Sequence, residues 1–391
     1  MNRVCAVTDF SSSRIQDVVD QALEERRLVG AVVLVARDGE QVYQQAAGLA
    51  DREQNRAMSV DALFRLASVS KPIVASAAMR LVAQGRLALD GAIDDWLPEF
   101  RPLLANGQRA RITPRHLLSH TAGLGYRFLE ADAMGACARA GISDGMDAAS
   151  IDLQENLRRI ASVPLLYPPG TAWGYSLASD VLGALIEQVQ GGSLAQAVHQ
   201  LVTEPLGMPD TSFLATDAAR MATAYVSGDP QPHRLREGEI VSPFDGVVGI
   251  PYSPGRIFDT SAFPSGGAGM AGTAPDFLRL LEALRTNDER LLPAEWVVEM
   301  GRDQIGDLEL PNAPGFGFGL GFSVLCDRHA AASPESNGTW RWGGAYGHSW
   351  FVDRARGLSV VAFTNTLYEG MSGRFVNDLR DAVYASLDGA R

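Results

Sequence analysis

At 391 residues, 46% of them hydrophobic and 20% charged, the chain is long enough to bury a large core and to divide into two subdomains. Its net charge of −12, from 34 basic and 46 acidic side chains, argues against nucleic acid or an anionic membrane surface as a partner. Three scattered cysteines, Cys5, Cys137 and Cys326, show neither metal-ligand spacing nor a disulfide framework, so a reducing, cytoplasmic setting is expected.

The opening MNRVCAVTDFSSS has no apolar run of secretory length. Residues 13–29 read as an amphipathic helix, with Ile15, Val18, Val19, Ala22 and Leu23 on one face. AVVLVARDGEQVYQQAAG then alternates around Asp38-Gly39, a hairpin signal. A helix is expected from Ser68 to about Gln84, with apolar residues at helical spacing, Pro72 inside its first turn and Gly85 as its stop. Residues 113–124, 155–163 and 179–189 also look helical, whereas the Pro- and Gly-rich stretch 227–265 reads as long loops. From Phe316 the segments FGFGLGFSVLCD, TWRWGGAYGHSWFVD and LSVVAFTNT predict three antiparallel strands, and a final helix over about 371–387 closes the chain. Two similar ends should build one sheet between them, giving an α/β domain from 1–85 and 301–391 around a helical, loop-rich insertion at 86–300.

Of the 34 basic residues, 33 are Arg and one is Lys71. A guanidinium stays protonated in proteins, whereas a lysine amine can give up its proton and act as a base. Ser68 precedes Lys71 by one helical turn, on the same face, at a helix start whose free N–H groups favour developing negative charge. Two readings are open: a nucleophile beside an amine, or an N-cap serine followed by a solvent-exposed lysine. Ser143 competes in Gly141-Ile142-Ser143-Asp144-Gly145, which matches the G-x-S-x-G elbow of another hydrolase fold. That elbow needs a buried strand before it, and ADAMGACARA is not one, so Ser143 is expected on a surface loop without a nucleophilic role. His116 and His120 stand at i, i+4 but lack the acidic neighbour of a HExxH site, so no metal is expected there.

Tyr175 lies just before the 179–189 helix and either relays a proton or simply packs at a helix entrance. Trp342-Gly343-Gly344-Ala345 lies in a predicted strand, where paired glycines permit close approach of a ligand or mark a bend. The glycine loop PSGGAGMAGTAPDFLRLL lacks the preceding strand of a dinucleotide site, and no cofactor is expected.

Taken in order, SVSK, LLSHTAGL, the GYS segment, SGGAGM and the WGG strand resemble the serine β-lactamase and penicillin-binding-protein superfamily. Within it the pattern is most similar to the class C-like family VIII carboxylesterases of the EstB type, from about Val29 to the C-terminal helix. The resemblance implies a β-lactamase/transpeptidase-like α+β fold: an antiparallel sheet flanked by helices, an inserted mainly helical domain and an active site between them. By position it implies Ser68 as nucleophile, Lys71 as general base or as the cation that activates Tyr175, and Tyr175 as proton shuttle. It implies an oxyanion hole from the Ser68 and Ala345 amides.

Two departures narrow the substrate. The class C pattern Tyr-x-Asn has Leu177 at its third position here, and Lys-Thr-Gly is replaced by Trp342-Gly343-Gly344. Losing those polar partners leaves a more apolar, less cationic pocket, with Tyr126 and Trp342 as expected walls; Asp180 either holds the Tyr175 region in place or serves as an ordinary acid at a helix N-terminus. The expectation is a serine carboxylesterase for short, uncharged esters, acting as a monomer or homodimer on a small molecule, with neither nucleic acid nor membrane as partner. A β-lactamase, D-amino-acid peptidase, amidase or acyltransferase, and a binding protein without turnover, are the alternatives.

Overall fold

The continuous apolar run Ala31–Ala36 suits a strand covered on both faces. In a computed structural model, which describes residues 12–387, this run lies inside the Gly30–Arg37 strand near the middle of an eight-stranded sheet. Cys5 and the N-terminal MNRVCAVTDFS lie outside the described residues. The Gly30–Arg37 and Glu40–Asp51 strands form the expected hairpin through Asp38-Gly39. The other edge of Gly30–Arg37 pairs antiparallel with Leu358–Thr364, from Ala31 opposite Thr364 to Arg37 opposite Leu358. The two chain ends therefore share one antiparallel sheet.

The C-terminal meander is more finely divided than its periodicity suggests. Phe316–Phe318, Ser323–Leu325, Trp340–Gly344, His348–Asp353 and Leu358–Thr364 replace the three expected strands. Glycines at 319, 321 and 347 sit at the turns that divide the first two segments, with Gly321 and Gly347 at φ +106°. Helices Ser13–Glu24 and Arg374–Leu387 cover one face, closing a core with Ala31, Val33 and Val35. Val32 and Leu34 point to the larger core on the other face. There the Ala274–Thr286 helix packs on Gly30–Arg37 and Leu358–Thr364. That helix belongs by sequence to the 86–300 stretch, but by packing to the sheet.

The Ser70–Ala83 helix is buried around nearly its whole circumference. It packs against Ala178–Gln190 and ends at Gly85, at φ +69°. The helix expected over 113–124 is only Pro114–Leu118, because His120 turns left-handed at φ +56° and ends it. The 227–265 stretch carries the short strands His233–Arg234, Glu239–Val241 and Ile250–Tyr252 between its loops. Among the described residues no helix is long and apolar enough to cross a membrane.

Candidate active site

Ser68 lies in a single 3-10 turn, Ala67–Val69, that feeds directly into the Ser70–Ala83 helix. Ala67 has φ +45°, a left-handed conformation that costs a residue with a side chain roughly 1–3 kcal/mol and is held only by its surroundings. Those surroundings are visible. A Cβ on Gly344 would stand 2.4 Å from the Leu66 carbonyl oxygen, so only glycine lets the strand and the turn come this close. His348, on the next strand, donates from Nε2 to the Arg65 carbonyl at 2.8 Å. Burial lowers the His348 pKa to about 4, so the ring is neutral at physiological pH and its Nε2–H pins the turn.

The turn brings Ser68 Oγ within 2.5 Å of Tyr175 Oη and 3.1 Å of Lys71 Nζ. Lys71 is 2% exposed, which removes the solvent-exposed reading. Its amine also donates to the Gly267 carbonyl at 2.8 Å and lies 4.6 Å from the centre of the Tyr175 ring. Gly267 falls in the SGGAGM motif but has no side chain to mark a role. The clue to it in the sequence was the need of any buried amine for acceptors. Tyr175 is packed among the rings of His120, Tyr126 and Trp342, with centroids 5.0, 5.1 and 5.4 Å away.

Asp180 lies in the first turn of the Ala178–Gln190 helix and is fully buried. Neither of its carboxylate oxygens meets hydrogen-bond geometry with a protein donor. Burial pushes its pKa up, while the nearby Ser265 hydroxyl and the Lys71 charge oppose that shift. A Cβ on Gly267 would stand 2.9 Å from Asp180 Oδ2 and 3.5 Å from Lys71 Nζ, so this loop runs between the acid and the amine.

The backbone amides of Ser68 and Ala345 have no backbone acceptor among the described residues. Both residues line a cavity of about 1340 Å³, together with Tyr126, Tyr175, Trp342 and Gly343. Leu177 and Gly344, also expected in the pocket, do not line it. Leu177 is 1% exposed in the core, with its N–H on the Gly125 carbonyl at 3.2 Å. Gly344 is approached by the chain's own backbone at Leu66 and not by open space.

Ser143 corrects another expectation. It is fully buried and not on a surface loop. Its hydroxyl donates to Asp147 and accepts from the Gly145 N–H, and its backbone is clasped by Asn156. These bonds tie down a turn, and Ser143 does not line the cavity at Ser68. His116 Nδ1 accepts from the Thr113 N–H, while His120 bonds Ser176, so the pair serves two separate turns. Among the described residues no group of three or more His, Cys, Asp and Glu side chains is placed to hold a metal ion. Cys137 and Cys326 are both free thiols.

In chemical terms, a hydroxyl stands within hydrogen-bond reach of a phenol and an amine, at an apolar cavity that two residues with unpaired backbone amides also line. Comparison with known proteins agrees with this geometry. The beta-lactamase family model matches residues 15–385. The chain is 54% identical over 375 residues to Esterase EstB of Burkholderia gladioli, covering 96% of this chain and 95% of that protein. It is 28% identical to the lovastatin esterase of Penicillium rubens, over 87% of this chain and 89% of the relative. A solved structure of EstCE1, described as a hydrolase with promiscuous acyltransferase activity, superposes with a TM-score of 0.94 at 48% identity, covering 95% of this chain and 98% of that one. The order of motifs, the shared sheet and these matches over nearly the whole length place the chain in the beta-lactamase family.

Proposed function

We propose that this serine hydrolase of the beta-lactamase family is a carboxylesterase that works through an acyl-enzyme on Ser68. The observation that carries the reading is the three-way contact of Ser68 Oγ with Tyr175 Oη and Lys71 Nζ at the wall of an apolar cavity. Ser68 Oγ attacks the ester carbonyl while its proton passes to the Tyr175–Lys71 pair. The carbonyl oxygen gains negative charge and is met by the Ser68 and Ala345 amides. As the C–O bond breaks, the proton returns through Tyr175 to the departing alkoxide and leaves as alcohol. Water then enters, gives its proton to the same pair and releases the carboxylic acid, restoring the Ser68 hydroxyl.

The cavity walls support the choice of substrate. Trp342 stands where the superfamily's strand lysine would sit, so the site lacks that cation for a β-lactam carboxylate. Leu177 withdraws into the core, so it offers no amide to a β-lactam side chain. A charge-assisted hydrogen bond contributes about 1.5–3 kcal/mol, so absence of such contacts disfavours penicillins by orders of magnitude. Uncharged esters need neither contact. The cavity volume of about 1340 Å³ also leaves room for a bulky apolar alcohol beside a short acyl group.

The test compares kcat/KM for p-nitrophenyl acetate, p-nitrophenyl butyrate and nitrocefin on one preparation. The esters should exceed nitrocefin by at least a hundredfold, and parity would overturn the esterase reading in favour of a β-lactamase. Labelling at Ser68 by a fluorophosphonate separates both from a binding protein without turnover. A second reading, transfer of the acyl group to another alcohol, is favoured by the apolar cavity at Ser68, whose volume of about 1340 Å³ leaves room for an alcohol acceptor beside the acyl group. The few, scattered cysteines favour a cytoplasmic setting.

A further inference from the structure

We propose that the cavity continues around the free end of the Trp340–Gly344 strand into a second chamber, where Arg341 and Arg380 bind the carboxylate of an amphipathic organic acid. Successive strand side chains point to opposite faces. Trp342 faces Tyr175, while Arg341 lies on the other side with its guanidinium 5.6 Å from the centre of the Phe316 ring. Yet Arg341 and Trp342 line the same cavity, as do Phe351, Val360 and Leu379 of the core beneath the outer helices. One continuous space therefore touches both faces of the sheet.

The passage has a visible cause. Ser323–Leu325 pairs with the Trp340–Gly344 strand only at Ser323 with Arg341 and Val324 with Trp340. From Trp342 onward that edge has no partner strand among the described residues. Gly343 also lines the cavity, but the place of its missing Cβ is filled by the chain itself, with the His348 carbonyl oxygen at 2.7 Å and Met371 Cγ at 2.9 Å. The opening that a flexible chain would follow is therefore the unpaired strand edge at Trp342.

The chamber behind is chemically biased. Arg341 spends one amine on Glu335, at 3.2 Å, and Arg380 is held by Asp381 at 2.8 Å. Arg341 and Arg380 both line the cavity, whereas Glu335 and Asp381 do not. A guanidinium has five N–H donors in a fork that matches a carboxylate, so donors face the space in excess of acceptors. Ser349 and Asn377 also line the chamber. Val376, Leu379 and Phe351 supply apolar walls, which suit a hydrocarbon body behind an anionic head. The carboxylate has two sources: the far end of a half-ester whose ester group sits at Ser68, or a free acid of the kind that ester hydrolysis releases.

The probe is octanoate, titrated calorimetrically into wild-type protein, Arg380→Gln, and the paired variant Arg341→Met with Glu335→Gln. The pair is changed together so that no buried charge loses its partner, and melting curves check that each variant is folded. Octanoate affinity should fall at least tenfold in both variants, while 1-octanol binding stays the same. Absence of octanoate binding to the wild type, or equal binding in the variants, overturns the proposal. The second arm compares kcat/KM for monoethyl and diethyl suberate. A fall in the monoethyl-to-diethyl ratio in the variants assigns the site to a substrate carboxylate. An unchanged ratio, with loss of octanoate inhibition, assigns it to the free acid. The calorimetric arm needs no turnover, so its failure is distinct from failure of the esterase reading.

Discussion

In the proposed mechanism, Lys71 is the residue on which the chemistry turns. Its amine is buried and reaches Ser68, the Gly267 carbonyl and the face of Tyr175. Arginine at this position would keep the charge but could not exchange a proton, and its planar fork would not fit the same acceptors. Lys71→Arg should therefore lower kcat nearly as much as Lys71→Ala, by about 10²–10⁴ as expected for loss of acid–base assistance. Retention of a substantial fraction of kcat in the Arg variant would reduce Lys71 to a positive charge. The two serines make a complementary pair. Ser68→Ala should abolish ester hydrolysis, whereas Ser143→Ala should retain most of it and lower stability by about 1–3 kcal/mol, because the half-buried Asp147 carboxylate and the buried Gly145 N–H lose their bonds. Parallel measurements of kcat and Tm decide this, and an inactive but folded Ser143→Ala protein would sink the assignment.

At the scale of elements, the 3-10 turn and the Trp340–Gly344 strand position each other. The turn carries a left-handed Ala67 and is held by His348 and by the close approach at Gly344. Gly344→Ala must push Leu66 away, which should destabilise the fold by roughly 1–3 kcal/mol, as overpacking does. The same displacement moves Ser68 relative to Ala345, so kcat should fall more than KM rises. A variant with wild-type kcat would show that the turn tolerates the shift. The Ala274–Thr286 helix bears on the domain division. Because it packs on the central strands, we propose that the inserted unit ends near Gly272, where Ala271–Gly272 pairs with Phe64–Arg65.

Over the whole molecule, segments distant in sequence are tied by charge. Arg115 bridges Asp90 at 2.7 Å and Glu299 at 2.6 Å, and Glu299 also pairs with Arg302 at 2.7 Å. Arg302, followed by Arg115, holds the Glu299 pKa down at about 2, against a partial burial that acts the other way. A carboxylate whose folded pKa is depressed stabilises the fold above its unfolded pKa, ordinarily near 4.5, and that contribution disappears as pH falls through about 2. Glu299→Gln should thus lower Tm at pH 7, and the gap from wild type should close progressively between pH 4.5 and 2. A gap independent of pH would assign the loss to packing instead.

Much of this was legible locally. The Asp38-Gly39 hairpin, the helix from the Ser68 turn to Gly85 and the one lysine beside Ser68 are short-range patterns, set by turn chemistry, periodicity and residue type. The ordered motifs also anticipated the superfamily fold. Other features depend on contacts between distant segments. Tyr175 meets Ser68 across 107 positions, and the Gly267 carbonyl meets Lys71 across 196. No local pattern specifies that Leu177 turns into the core, that Ser143 is buried, or that Gly344 makes room for Leu66 and not for a ligand. Residue types declare which chemistry is possible, but burial and cavity shape arise when the sheet and its helices close on one another. That closure decides which side chains share a space, as Trp342, Arg341 and Arg380 do at one cavity.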